Sequence, residues 1–190
     1  MKGAMVTDWT ISTESDPTLV ARLAAGETQA LDVLYARHGL ALLGYLVGQV
    51  GDQALAEEIL QDVMLAVWHG AGSFRGDSSV RTWMLAIARR RAITERQRRS
   101  VDAVALDDDL AANDTGPLDV LIQRAERDDL RAALRRLPDD QRETLELVFY
   151  HDLSGPEVAE VMGISPGTVK SRLHRAKALL KGLLGVRTDA

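Results

Sequence analysis

The chain has no cysteine in its 190 residues. This excludes disulfide staples and thiolate metal sites, and it suits a reducing cytoplasm. Phe, Trp and Tyr together supply only 4% of the residues. The core must therefore be built from Leu, Ala and Val, a composition that leans toward helix. No apolar run of about 18 residues occurs, so no segment is expected to span a bilayer. The opening residues MKGAMVTDW lack the apolar stretch and small-residue cleavage site of a signal peptide, and Met5 offers an alternative start. What is present, 46% hydrophobic and 27% charged residues, fits a folded, water-soluble protein with one large or two small cores.

The formal net charge of -5 conceals two basic surfaces. Between Arg75 and Arg99 lie Arg75, Arg81, Arg89, Arg90, Arg91, Arg96, Arg98 and Arg99, against only Asp77 and Glu95. Between Ile164 and Lys181 lie Lys170, Arg172, Arg175, Lys177 and Lys181, with no acid. The acids gather elsewhere, in Asp52, Glu57, Glu58 and Asp62 and again from Asp102 to Asp119. A single charged run is usually a solvated face; two basic runs on helices with opposed apolar stripes point to a polyanion.

The expected fold is all-α: two small helical domains joined by a flexible acidic linker, the second containing a helix-turn-helix. Residues 1–15 form a tail and 16–100 the first domain. The acidic, Gly116-Pro117-containing stretch 101–117 forms the linker, and 118–190 the second domain. In the first domain, Asp16-Pro17 reads as a helix cap with a first-turn proline, and Gly26 ends that helix. A second helix is predicted over 28–47, with Leu31, Leu34, Tyr35, His38, Leu42, Tyr45 and Leu46 inward. A third over 53–68 buries Leu55, Ile59, Val63 and Val67. A fourth over 79–99 buries Val80, Trp83, Met84 and Ile87, with Arg81, Arg89, Arg96 and Arg99 on another stripe. Helices over 118–136, 140–150, 155–162 and 166–183 follow, and Pro138 separates the first two of these.

The most informative stretch is LSGPEVAEVMGISPGTVKSRLHRAK, residues 153–177. Ser154 and Glu157 have the spacing of a capping box, and Leu153 and Val158 that of a hydrophobic staple. Gly163 closes the helix where a left-handed residue is needed. After one residue, Ser165-Pro166 caps the next helix. Two capped helices joined so tightly must cross, as in a helix-turn-helix. On the second, Val169, Leu173, Ala176 and Leu180 form the inner stripe. Thr168, Lys170, Ser171, His174 and Arg175 supply donors outward, as a major groove requires. Arg172 lies at the edge of the apolar stripe, placed for a phosphate or an intrachain acid.

Together with AEEILQDVMLAVW (56–68), FRGDSSVRTWMLAIARRRA (74–92) and DPTLVARLAAGETQALDVLYARHG (16–39), this stretch resembles the extracytoplasmic-function (ECF) subfamily of bacterial RNA polymerase sigma factors. The resemblance runs from about Asp16 to Leu184. It implies a first domain (region 2) that holds the polymerase clamp and melts the promoter -10 element. It implies a second (region 4) that reads the -35 element and touches the polymerase flap. Carried over by motif, Glu57, Glu58, Gln61 and Asp62 fall on the clamp-binding helix. The loop from Gly72 to Ser79, with Phe74, Gly76, Asp77 and Ser78, matches the one that captures a flipped base. Arg81, Trp83, Arg89 and Arg90 fall in the helix beyond it. Thr168, Lys170, Ser171, Arg172, His174 and Arg175 fall on the -35 reading helix. The partners so implied are core RNA polymerase, promoter DNA and an anti-sigma protein that could hold the cytoplasmic chain at a membrane. No cofactor is implied, and with the chain ending at Ala190 no appended sensory domain is expected.

The residues themselves qualify this picture. Trp83 shares a stripe with Val80 and Ile87, which favours core over base stacking, and Phe74 could anchor the loop. Gly76, Asp77 and Ser78 are better suited to hold a base. Gly155-Pro156 stands where the family often has an aromatic-acidic pair, and Arg90 where many members have Asn. A stand-alone helix-turn-helix regulator is the alternative; it should bind duplex unaided, whereas a sigma factor should need core polymerase. A helical metalloenzyme using Glu57, Glu58 and Asp62 lacks the Glu-x-x-His of di-iron bundles, and His38, His69, His151 and His174 are too scattered for a metal site. His38 is expected in the core.

Overall fold

The computed structural model describes residues 13–105 and 126–185, with no strand among them. Eight helices occur in that part of the chain: α1 (Asp16–Ala24), α2 (Gln29–Val50), α3 (Gln53–Gly70), α4 (Val80–Ala105), α5 (Glu126–Arg135), α6 (Asp139–Phe149), α7 (Gly155–Met162) and α8 (Pro166–Gly185). A single 3-10 turn, Ala71–Ser73, leads into the loop before α4.

Local chemistry sets most of the boundaries. Ser15, not Asp16, caps α1: its backbone is extended and its Oγ accepts the Thr18 N–H. Asp16 is left in the first turn, where it receives Arg37 and a 2.7 Å hydrogen bond from His38 Nε2. Burial would raise the pKa of Asp16, but these two basic partners outweigh it and hold the carboxyl below its usual value. His38 therefore ties α2 to α1 as a half-buried polar bridge instead of filling the core. Tyr35 also departs from the expected stripe. It is 53% exposed, and its ring lies along its own helix over Gly39.

α2 has the length and mean hydropathy, 1.2, of a membrane-crossing helix. Here its apolar residues meet other helices: Leu34, Leu42, Tyr45 and Leu46 are buried in the core. Asp52 caps α3 by accepting the Leu55 N–H at 3.0 Å. Leu55, Ile59, Val63 and Val67 are all buried, as their spacing requires. Ser79 caps α4 through the Thr82 N–H. That helix continues to Ala105, past the expected end at Arg99. Residues 101–105 of the expected linker are thus helical, because VDAVA contains no Gly or Pro to stop the turn. The rest of the linker, and the first turns expected for the helix after it, lie outside the described residues.

The capping scheme of the C-terminal half is realised. The Glu157 carboxylate accepts both the Ser154 N–H (2.9 Å) and the Ser154 Oγ–H (2.7 Å). Leu153 and Val158 are both buried, as a staple requires. Gly163 has φ +65, a conformation costly for any side chain with a Cβ. Ser165 Oγ accepts the Thr168 N–H at the start of α8. Leu134, Leu137, Leu145 and Ala176 form a small cluster of their own. Leu147, Leu153, Val158, Ala159, Val161, Met162 and Val169 join the same apolar cluster as α1 to α4. The two halves of the chain thus share packing, which separate cores would not do.

Candidate nucleic-acid interface

On α8, Val169 and Ala176 are buried while Leu173 and Leu180 are half-buried. The opposite face presents Lys170, His174 and Arg175 exposed, with Thr168 and Ser171 half-buried beside them. Arg172 is turned to Asp140 of α6 at 3.0 Å, the intrachain acid that its edge position allowed. Gly155, Pro166, Val169, Lys170, Leu173, His174 and Lys177 line a groove of about 320 Å³ between the start of α7 and α8.

The second basic surface is arranged differently. In the loop before α4, Gly76 has φ +74, and Arg75 pairs with Asp77 at 3.0 Å in solvent. Phe74 and Trp83 are half-buried, with ring centroids 5.0 Å apart. They anchor the loop to the helix and leave Gly76 and Asp77 exposed and Ser78 half-buried. Arg90 is exposed and donates to the Ala86 carbonyl of its own helix. Ser73, Trp83, Arg90, Arg91 and Thr94 border a groove of about 400 Å³ on this face. Arg89 instead points at α6. Its Nε and Nη2 donate to the two oxygens of Glu143 at 2.7 and 3.3 Å, and its Nη1 donates to the Met162 carbonyl at 3.3 Å. Tyr45 Oη–H also donates to Glu143, at 2.7 Å. Burial opposes the charge on Arg89, but Glu143 outweighs it and raises the guanidinium pKa further.

Glu57, Glu58, Gln61 and Asp62 form one exposed acidic face on α3, followed by exposed Leu65 and Trp68. Such a surface repels phosphates and suits a protein partner.

These elements coincide with known regions. Residues 34–101 match the family model "Sigma-70 region 2" and residues 127–180 match "Sigma-70, region 4". The ECF RNA polymerase sigma factor SigM of Mycobacterium tuberculosis is 34% identical over 175 residues, covering 90% of this chain and 85% of SigM. This chain belongs to the ECF sigma factors. The RNA polymerase sigma-H factor of Pseudomonas aeruginosa is 33% identical over 178 residues, covering 88% of this chain and 92% of that protein. Among solved structures, CnrH in complex with the cytosolic domain of CnrY superposes with a TM-score of 0.67 at 27% identity, covering 92% of this chain and 100% of CnrH. RpoE of Bartonella quintana, in complex with the anti-sigma factor NepR, gives 0.64 at 26% identity, covering 77% and 91%.

Within this sigma factor, sequence reasoning missed a buried polar cluster. Glu146 and His151 are 4% and 0% exposed. Among the described residues Glu146 Oε1 and both ring nitrogens of His151 have no hydrogen-bond partner, Glu146 Oε1 lying 4.0 Å from His151 Nε2. The available signal was spacing, since Glu143 and Glu146 share the α6 face of buried Leu147. Burial, reinforced by Glu143 and only partly countered by Arg142, pushes the Glu146 carboxyl up to about 8. Burial and the nearby Arg81 push His151 down to about 4. Tyr45 faces both groups from α2: its ring packs edge-on against His151 and its hydroxyl pKa is raised by burial, then by Glu143 and Glu146.

A pH dependence of stability follows. Glu146 binds its proton more tightly when folded, so its contribution is complete below about 4.5 and lost as pH rises through about 8. The His151 contribution is present above about 6.5 and lost as pH falls through about 4. The two slopes oppose each other between 4.5 and 6.5. From there to about 8 Glu146 acts alone, and stability falls by up to about 1 kcal/mol per pH unit. Denaturant titrations across this range should show the decline, and Glu146→Gln should remove it. A wild-type profile as flat as that of the variant would refute the assignment.

Proposed function

We propose that this sigma factor binds core RNA polymerase and directs initiation from promoters by dividing recognition between its two regions, without catalysis of its own. Region 2 comprises residues 16–100, and region 4 comprises 118–190. The exposed acidic face of α3 (Glu57, Glu58, Gln61, Asp62) docks on the polymerase clamp, and region 4 meets the flap. Gly76, Asp77 and Ser78 hold an unstacked base of the -10 element, with Phe74 and Trp83 bracing the loop. Arg81, Arg89 and Arg90 contact the neighbouring strand. Thr168, Lys170, Ser171, His174 and Arg175 read the -35 element, and Arg172 steadies α8 through Asp140. Gly155-Pro156 offers little for base contact, which leaves -35 reading to α8.

One observation carries this reading: α8, held by two capped turns, presents donors and no acid on its outward face. A major groove needs such a surface. Its control falls to a protein partner of the anti-sigma kind, since NepR is bound to the related RpoE and CnrY to CnrH. The sigma factor works in the cytoplasm, and any membrane association comes through that partner.

Purified protein added to core polymerase should yield discrete transcripts from a library of its own genomic fragments. Specific duplex binding by the protein alone, with no transcript above the core background, would replace this reading with a stand-alone regulator.

A further inference from the structure

The donors of α8 account for hydrogen bonds to DNA, but not for the apolar groove beside them. Its floor is Pro166, Val169 and Leu173, and its rim is Lys170, His174 and Lys177. No acid lines it, and all three rim residues are exposed. Lys177 is steadied at its tip, with Nζ 5.6 Å from the centroid of the Phe149 ring. Gly155, at the start of α7, lines the groove as well. A Cβ built on Gly155 would meet nothing within 4 Å, and its φ is not positive. Neither crowding nor a left-handed backbone therefore calls for glycine at this position. What glycine does is leave the groove open, where a longer side chain would have room to extend.

We propose that this groove is a thymine-selective subsite that takes the C5-methyl of one thymine in the -35 element. The inference rests on the reading that α8 lies in the major groove. Among the four bases, thymine carries the methyl group on the major-groove edge, with an O4 acceptor beside it. These two features fit the two parts of the site. The methyl meets the floor of Pro166, Val169 and Leu173, while O4 lies toward the donors of Lys170 and His174. A groove of about 320 Å³ has room for the methyl together with the ring edge that bears it. The basic rim favours a polyanion as occupant over an apolar peptide. Gly155 is then a specificity-determining position that donates nothing, since its missing side chain is what admits the methyl.

The test uses holoenzyme reconstituted from core polymerase and the full chain, bound to a duplex bearing the promoter it selects. Each thymine of the -35 element, on either strand, is replaced in turn by deoxyuridine. This deletes the methyl and keeps every hydrogen-bonding group of the base. One replacement should weaken binding about fourfold, the effect of losing one buried methyl-sized group; the others should change it little. Gly155→Leu, whose side chain extends over the groove, should bind the thymine and deoxyuridine duplexes equally. Leucine before Pro156 restricts the backbone, so circular dichroism checks that the variant folds. If it does not, the deoxyuridine series on wild type decides alone. Indifference of wild type to every replacement would overturn the subsite and leave the functional reading standing. A selected -35 element with no thymine on either strand would do the same. Discrimination that survives unchanged in folded Gly155→Leu would place the methyl elsewhere and also overturn the subsite. Holoenzyme without promoter-specific binding would instead overturn the functional reading, and the subsite with it.

Discussion

Replacing Leu147 by Ala should lower the unfolding free energy by about 2–5 kcal/mol, the range for deleting a fully buried leucine side chain. Leu147 is 0% exposed and lies in the cluster that runs from α1–α4 into α6, α7 and α8. Its carbonyl also accepts the Leu153 N–H, which closes the turn between α6 and α7. The lost methyl groups cannot be replaced by collapse, because that backbone bond fixes the position of the turn. Leu173→Ala should cost less. Leu173 is half-buried, touching the edges of both clusters, so part of its surface is already in water. Urea unfolding followed by helical circular dichroism measures both. The midpoint should fall furthest for Leu147→Ala, and in a single transition, since the two halves share the cluster. A variant that loses only the C-terminal helices, leaving an unshifted second transition, would mean that the halves are energetically independent.

The parts of this molecule that could be read from its sequence are those fixed by neighbours within about five residues. The pairs Ser154 with Glu157, Leu153 with Val158, and Ser165 with Thr168 each lie three to five positions apart, and each is formed. The acidic face of α3 and the donor face of α8 likewise follow from helical spacing alone. Sequence reasoning stops where a side chain has two plausible partners. Asp16 could cap α1, and loses that role to Ser15 because Arg37 and His38, some 21 and 22 residues away, claim its carboxylate. Arg89 lies on a solvent stripe by periodicity, yet 54 residues of separation bring Glu143 against it. Helical spacing puts Arg89 on a polar stripe and Glu143 on the face of buried Leu147, and nothing in it says that the two meet. The end of α4 illustrates a third kind of failure. Acidic composition suggested a linker from residue 101, but acidity does not break a helix, and the turn runs on to Ala105.

Lys170→Ala or Arg175→Ala should reduce use of the -35 element by about 1–3 kcal/mol, roughly a factor of five to a hundred and fifty, if the side chain makes a bidentate base contact. Both residues are exposed on the outward face of α8. Stability should change little, because both side chains are exposed to solvent. Arg172→Ala supplies the contrasting case. Arg172 is committed to Asp140, so its loss should loosen the α6–α8 packing while base preference remains. Transcription by the reconstituted holoenzyme from templates with each -35 position changed separates these outcomes. A lost base contact flattens preference at one position only. A lost phosphate contact weakens all templates alike and reduces the slope of log affinity against log salt by about one. Normal promoter use by both variants, with selectivity lost in Arg172→Ala, would mean that the face of α8 turned toward α6 is the one that reads DNA.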